Sequence, residues 1–162
     1  MKSNLCSFIA APLLAVSALG AATINYHLAN TYKFGAAPGG REYFDYITFD
    51  PGSRRLYLTH GTEVLVVNAD TGAEEGKISG LKVSHGVAVV PGLGRGFISD
   101  GAQGKAIIFD LKTLKVVGEV NAAPDADCII YDPASKRIFT FNGDSHNATA
   151  IDPAAAKGYW DH

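Results

Sequence analysis

Cysteine is nearly missing from the 162 residues: there are two, Cys6 and Cys128. Cys6 lies in an N-terminal stretch that reads as a removable leader, ahead of its apolar run and too near the start to serve as a lipoprotein acceptor. One cysteine in the mature chain excludes an internal disulfide, so stability must come from a buried core. Cys128 sits in an apolar strand with nothing beside it to lower its pKa, and is expected as a buried structural thiol rather than a nucleophile. No basic cluster is present either. Fourteen Lys and Arg against sixteen Asp and Glu are spread along the chain, for a net charge of −2, and that disfavours nucleic acid or an anionic membrane surface as a partner.

The motifs that announce chemistry within one segment are also absent. There is no GxSxG elbow, no HExxH and no EF-hand loop. Ser84-His85 and Ser145-His146 therefore lack the setting of a nucleophilic triad. Gly92-Leu93-Gly94-Arg95-Gly96 is glycine-rich, but no helical pattern follows it, so a phosphate cradle is not expected. The apolar stretch from Phe8 to Ala22 has 15 residues with Pro12 inside, short of the roughly 20 needed to span a bilayer. With Lys2 before it and Ala18-Leu19-Gly20-Ala21-Ala22 at its end, it reads as a secretory signal over residues 1–22, the alternative being an uncleaved anchor. The expected location is then periplasmic or secreted.

What the chain does contain is one sentence written three times. Asp45-Tyr46-Ile47-Thr48-Phe49-Asp50-Pro51-Gly52-Ser53-Arg54-Arg55-Leu56-Tyr57-Leu58-Thr59 is an apolar strand, an Asp-Pro turn and a returning strand. The second copy runs from His85 to Ser99 and the third from Asp127 to Thr140. Pro51, Pro91 and Pro133 are spaced by 40 and 42 residues, as are Arg55, Arg95 and Arg137; Asn68, Asp110 and Asp152 recur at 42 and 42. A period near 40 built from strands and turns marks β-propeller blades. Three repeats follow, at about 45–84, 85–126 and 127–162.

Each repeat divides into four strands. The first has Tyr46–Phe49, Arg55–Thr59, Glu63–Val67 and a strand near Glu75–Ser79. The second has Gly86–Val90, Arg95–Ser99, Lys105–Phe109 and Lys115–Val120, and the third Cys128–Tyr131, Arg137–Phe141, Ala148–Ile151 and Lys157–Trp160. Pro at the second turn position has its φ fixed near −65°, as a type I turn requires. The third strands, Val64-Leu65-Val66-Val67 and Ala106-Ile107-Ile108-Phe109, are apolar without alternation. That pattern fits a strand covered on both faces, as a blade between two others would be. Tyr46, Tyr57, Phe97, Tyr131 and Phe139 are expected as inter-blade core, with Trp160 capping the last blade. Residues 23–44 read as an alternating strand from Ile24 to Phe34 followed by the loop Ala36-Ala37-Pro38-Gly39-Gly40.

From Leu56 through His60, Gly61 and Thr62 to Asn68, and in its counterparts, the sequence resembles the YVTN-type repeat of exported bacterial propellers, the YncE-like family. The resemblance covers about Thr31 to the C-terminus. It implies a ring of about seven blades and an exported protein whose function is often unassigned. Against that pattern the three repeats make an all-β, partial propeller. The expectation is a fragment of a longer ring, or a chain that self-associates through open blade faces, since closure normally takes at least about four blades.

In a propeller the loop leading into the first strand of each blade and the loop joining its second and third strands lie on one face. That places Asp45, His60, His85, Asp100, Asp127, Asp144 and His146 around one mouth of the channel. Such a set could bind a ligand or hold a divalent metal, Zn²⁺ or its relatives through His and carboxylate, Ca²⁺ through carboxylate and carbonyl. The same residue types also close tight turns with no ligand at all. Two functions follow. The favoured one is a non-catalytic binding or scaffold module that presents its loop face to a protein or small molecule. The alternative is a metal-dependent lactonase- or hydrolase-type enzyme with its site at the mouth.

Overall fold

The computed structural model describes residues 25–37, 43–155 and 157–158. The signal reading at 1–22 and the capping role of Trp160 lie outside them. The chain divides into two units, residues 1–31 and 32–162. In the described part of the first, residues 25–31 take no regular structure, and the Thr31 N–H donates to Asn30 Oδ1 at 2.8 Å. Among the described residues no helix is long and apolar enough to cross a membrane.

The second unit is three four-stranded antiparallel sheets in chain order. Blade one is β1 (Phe44–Asp50), β2 (Arg55–His60), β3 (Glu63–Asn68) and β4 (Glu74–Ile78). Blade two is β5 (Ser84–Val90), β6 (Arg95–Asp100), β7 (Lys105–Asp110) and β8 (Val116–Asn121). Blade three is β9 (Ala126–Asp132), β10 (Arg137–Asn142), β11 (Asn147–Asp152) and β12 (Lys157–Gly158). Within each blade every strand pairs with the next in sequence, the meander that a run of short hairpins dictates.

Ile24, where the expected strand begins, lies outside the described residues, and residues 25–37 take no regular structure and have no ladder partner. Alternation alone makes no strand; a backbone edge must accept it. In the second unit this segment is held by side chains instead. Phe34 packs on Leu58, Leu65 and Val67 of blade one. The Tyr32 ring lies over Gly72, where φ is +72° and a Cβ would come within 2.1 Å of the ring.

Turn chemistry repeats with the blades. Asp50 accepts from Gly52 N–H at 3.0 Å and Ser53 Oγ at 2.7 Å, and Asp132 accepts from Ala134 and Ser135 N–H at 3.1 and 3.0 Å. The last residue of this turn is left-handed in all three copies: Arg54 (φ 59°), Gly94 (φ 63°) and Lys136 (φ 57°). Asn68, Asp110 and Asp152 each turn a side-chain oxygen onto the two amides two and three residues ahead. Thr113, through its amide and then its hydroxyl, holds the Asp110 carboxyl below the usual carboxylate range, and Ser135, hydroxyl then amide, does the same for Asp132.

The third strands show why their sequence does not alternate. Val64 and Val66 of β3 face blade two, sharing a cluster with Tyr57, Val87, Ile98, Ile107 and Phe109. Leu65 and Val67 face the other way, onto Phe34. In β7, Ile107 and Phe109 look toward blade one, while Ala106 and Ile108 join Phe97, Ile129, Ile138 and Ile151 toward blade three. A sheet covered on both faces has no wet side on which to place polar residues.

Of the five aromatic residues expected in the core, Tyr57 and Phe97 are fully buried and Tyr131 packs against the second inter-blade cluster. Two depart from expectation. Tyr46 is 45% exposed because it sits in a bulge of β1, and Phe139 is only half-buried because it lies on the outer flank of blade three. Cys128 is likewise half-buried rather than buried. Burial, and then the neighbouring Asp127, push its thiol pKa up, which matches the inert thiol expected.

Candidate functional site: three bulges at one mouth

The first strand of every blade carries a β-bulge at the same place. Between the pairs Phe44↔His60 and Ile47↔Leu58, Asp45 and Tyr46 oppose Thr59 alone. Between Ser84↔Asp100 and Val87↔Ile98, His85 and Gly86 oppose Ser99. Between Ala126↔Asn142 and Ile129↔Thr140, Asp127 and Cys128 oppose Phe141. An extra residue bends the strand and re-aims its side chain. Here three equivalent residues, Asp45, His85 and Asp127, are re-aimed toward one another.

The result is a tight cluster. His85 Nδ1 lies 2.8 Å from Asp45 Oδ2 and 3.7 Å from Asp127 Oδ1, and one ligand atom from each of the three falls within 4.8 Å of the others. The three side chains are 30%, 17% and 43% exposed for Asp45, His85 and Asp127, so the cluster opens to solvent. The field of Asp127 is the main cause that raises the pKa of the Tyr46 phenol.

Hydroxyls from the preceding blade pin the bulges. Thr59 Oγ1 lies 2.8 Å from the carbonyl of His85 and 3.1 Å from that of Tyr46. Its equivalent in blade two, Ser99, donates to the carbonyl of Asp127 and accepts from Gly86 N–H at 3.0 Å. The third equivalent is Phe141, which has no hydroxyl and is 46% exposed. Ser99→Ala leaves a part-buried carbonyl and a buried amide without this partner, so a loss of about 1–3 kcal/mol is expected in urea unfolding. An unchanged midpoint would show that the hydroxyl is not what holds the Asp127 bulge.

The other residues expected at the mouth have different fates. His60 is buried and stacked on Phe44, ring centroids 4.0 Å apart at 8°. Asp100 is buried too, and its carboxylate accepts from the amides of Lys82, Val83 and Gln103 and from the Gln103 side chain at 2.7 to 3.3 Å. It folds the loop rather than facing a ligand. His146 (φ 52°) closes the β10–β11 turn, exposed and beside a separate depression with Asp127. Asp144 stands on the rim of a groove of about 870 Å³ between the loops of blades two and three.

That groove is lined by Tyr43, His85, Gln103, Asn121, Asp125 and Asp144 along with the Gly101–Gly104 loop. Its acid Asp125 was not singled out in the sequence. Tyr43, Val83 and Asp125 occupy equivalent places in the three copies, two residues before Asp45, His85 and Asp127, and all three line the groove. The repeat register thus marks the position, while the residue type differs in each copy. Asp125 has φ 58° and presses close on two glycines. A Cβ on Gly143 would lie 2.2 Å from Asp125 Oδ2, and one on Gly101 would meet His85 Nε2 at 2.7 Å and Asp125 Oδ1 at 3.3 Å. A side chain at Gly101 would fill the space between imidazole and carboxylate, and one at Gly143 would collide with Asp125.

Three consecutive four-stranded meanders packed flank to flank, with their bulged first strands aimed at one mouth, define a run of β-propeller blades. Comparison with solved structures agrees. Hydrazine synthase of Kuenenia stuttgartiensis, a β-propeller-containing protein, matches with a TM-score of 0.65 over 82% of this chain and 38% of that one, at 16% sequence identity. The chain thus spans well under half the length of that relative, and the likeness is one of fold alone. No family model matches the chain, and no curated protein is significantly similar to it.

Proposed function

We propose that the protein is an exported propeller of the YVTN-repeat, YncE-like kind that works as a binding module, taking a cationic ligand into the groove of its loop face. The observation that carries this reading is the groove's lining. Asp125 and Asp144 supply carboxylates, Gln103 and Asn121 supply amides, and among the described residues no Lys or Arg lines it. A concave site with convergent polar groups and one sign of charge raises the local concentration of the opposite sign. The triplicate repeat and the leader-like N-terminus support the family and its export.

The test is titration of the full chain, in EDTA, with a fluorescent lysine-rich peptide and a glutamate-rich one of equal length. Saturable binding of the first alone is expected, weakened about tenfold or more by Asp125→Asn with Asp144→Asn, as loss of two charge-assisted contacts requires. Equal binding of both peptides, or no effect of the two substitutions, would contradict the groove as the site.

A further inference from the structure

The cluster beside the groove has a chemistry the binding reading does not use. We infer that Asp45, His85 and Asp127 form a divalent transition-metal site, each of the three blades contributing one ligand from the same bulge position.

The geometry is suited to it. Atoms coordinated at about 2.1 Å to one ion and separated by 90–110° lie about 3.0–3.4 Å from each other. The 2.8 Å and 3.7 Å separations around His85 Nδ1 bracket that range, and all three ligand atoms fit within 4.8 Å. Side-chain rotation within the cluster can bring the carboxylates and the imidazole around one centre. The donor set, one imidazole nitrogen and two carboxylate oxygens, selects the zinc, cobalt and manganese class over Ca²⁺, which prefers six to eight oxygens. Two carboxylates and a single imidazole also gather acidic oxygens at one point, where a divalent cation is favoured. Among the described residues neither Asp45 nor Asp127 pairs with a Lys or Arg.

The surroundings hold the ligands as a metal site demands. Backbone bulges fix the three Cα positions, and Thr59 and Ser99 tether two of the bulges through carbonyls. His85 Nε2 and Asp125 Oδ1 both border the space above Gly101, away from the carboxylates at Nδ1. The three ligands come from one side and stay open to solvent, so water completes the coordination. An open site of this kind binds; it is not a closed structural centre.

The experiment is Co²⁺ and Zn²⁺ titration of the full chain, read by the visible absorption of bound Co²⁺ and its displacement by Zn²⁺. One equivalent is expected. Asp127→Asn should weaken binding by more than the roughly 10–100-fold that loss of an outer partner costs, and His85→Ala should abolish the absorption band. Asp144→Asn, in the groove but outside the cluster, should leave metal affinity unchanged, which separates this site from the peptide test made in EDTA. If His85→Ala misfolds by thermal melting, the exposed Asp127→Asn carries the result. No Co²⁺ band in the unaltered chain, or equal affinity in Asp127→Asn, would overturn the site and leave His85 as a polar neighbour of two aspartates.

Discussion

Phe97→Ala is expected to lower the unfolding free energy by about 3–5 kcal/mol, the usual cost of emptying a buried aromatic position. Phe97 is fully buried in the cluster between blades two and three, among Ala88, Ile108, Ile129 and Ile138. Its side chain is a principal contact between two sheets that share no backbone ladder. The cavity left by alanine would have rigid sheets on both sides, so little relaxation is available to fill it. The internal control is Phe139→Ala. Phe139 holds the equivalent register position one blade on, where it is half-buried, and its loss should cost clearly less. Urea unfolding of the two variants measures the difference. Equal losses would mean that blade stacking is not what buries these side chains. With typical domain stabilities of about 5–15 kcal/mol, the Phe97 variant is expected to be partly unfolded in mild denaturant.

Gly96→Ala is expected to destabilise by about 1–3 kcal/mol through overpacking. Gly96 pairs with Phe109 across β6 and β7, and a Cβ there would come 2.1 Å from the Phe109 ring. The ring is itself buried, 5.8 Å from Tyr57 in the core of blades one and two, so it has nowhere to go. Combining Gly96→Ala with Phe109→Leu should recover part of the loss, a coupling expected between touching residues. Gly92→Ala, four residues earlier in open space, should change stability by less than about 0.5 kcal/mol. A Gly96 variant as stable as the parent would show that the flank between blades one and two is looser than described.

Much of this fold was legible in the sequence because its signals are local and tripled. Pro51, Pro91 and Pro133 set the hairpins, and Asn68, Asp110 and Asp152 the third turns. The non-alternating β3 and β7 announced burial on both faces. Convergence of Asp45, His85 and Asp127 followed from the topology of a blade. The reason they meet so closely did not, because a bulge is a mismatch of register that no composition marks. For the same reason Tyr46 was expected inside and lies outside. His60 and Asp100 could not be told from the converging residues, since stacking on Phe44 and loop closure around Lys82 and Val83 depend on contacts between distant stretches. Asp125 was hidden because its equivalents are Tyr43 and Val83, of different chemistry. Left-handed Arg54 and Lys136 share a position with Gly94 and carry no mark of it in residue type.

The central claim, that equivalent bulges from separate blades meet at one mouth, is tested most directly by linking the outermost two. In a full-length chain with Cys6→Ser and Cys128→Ser, Asp45→Cys and Asp127→Cys are reacted with a short bifunctional thiol reagent and the peptides are mapped by mass spectrometry. Side-chain atoms that now lie within 4.8 Å of one another should give an intramolecular link between positions 45 and 127 in most molecules, independent of protein concentration. Single adducts alone, or links only between molecules, would contradict it.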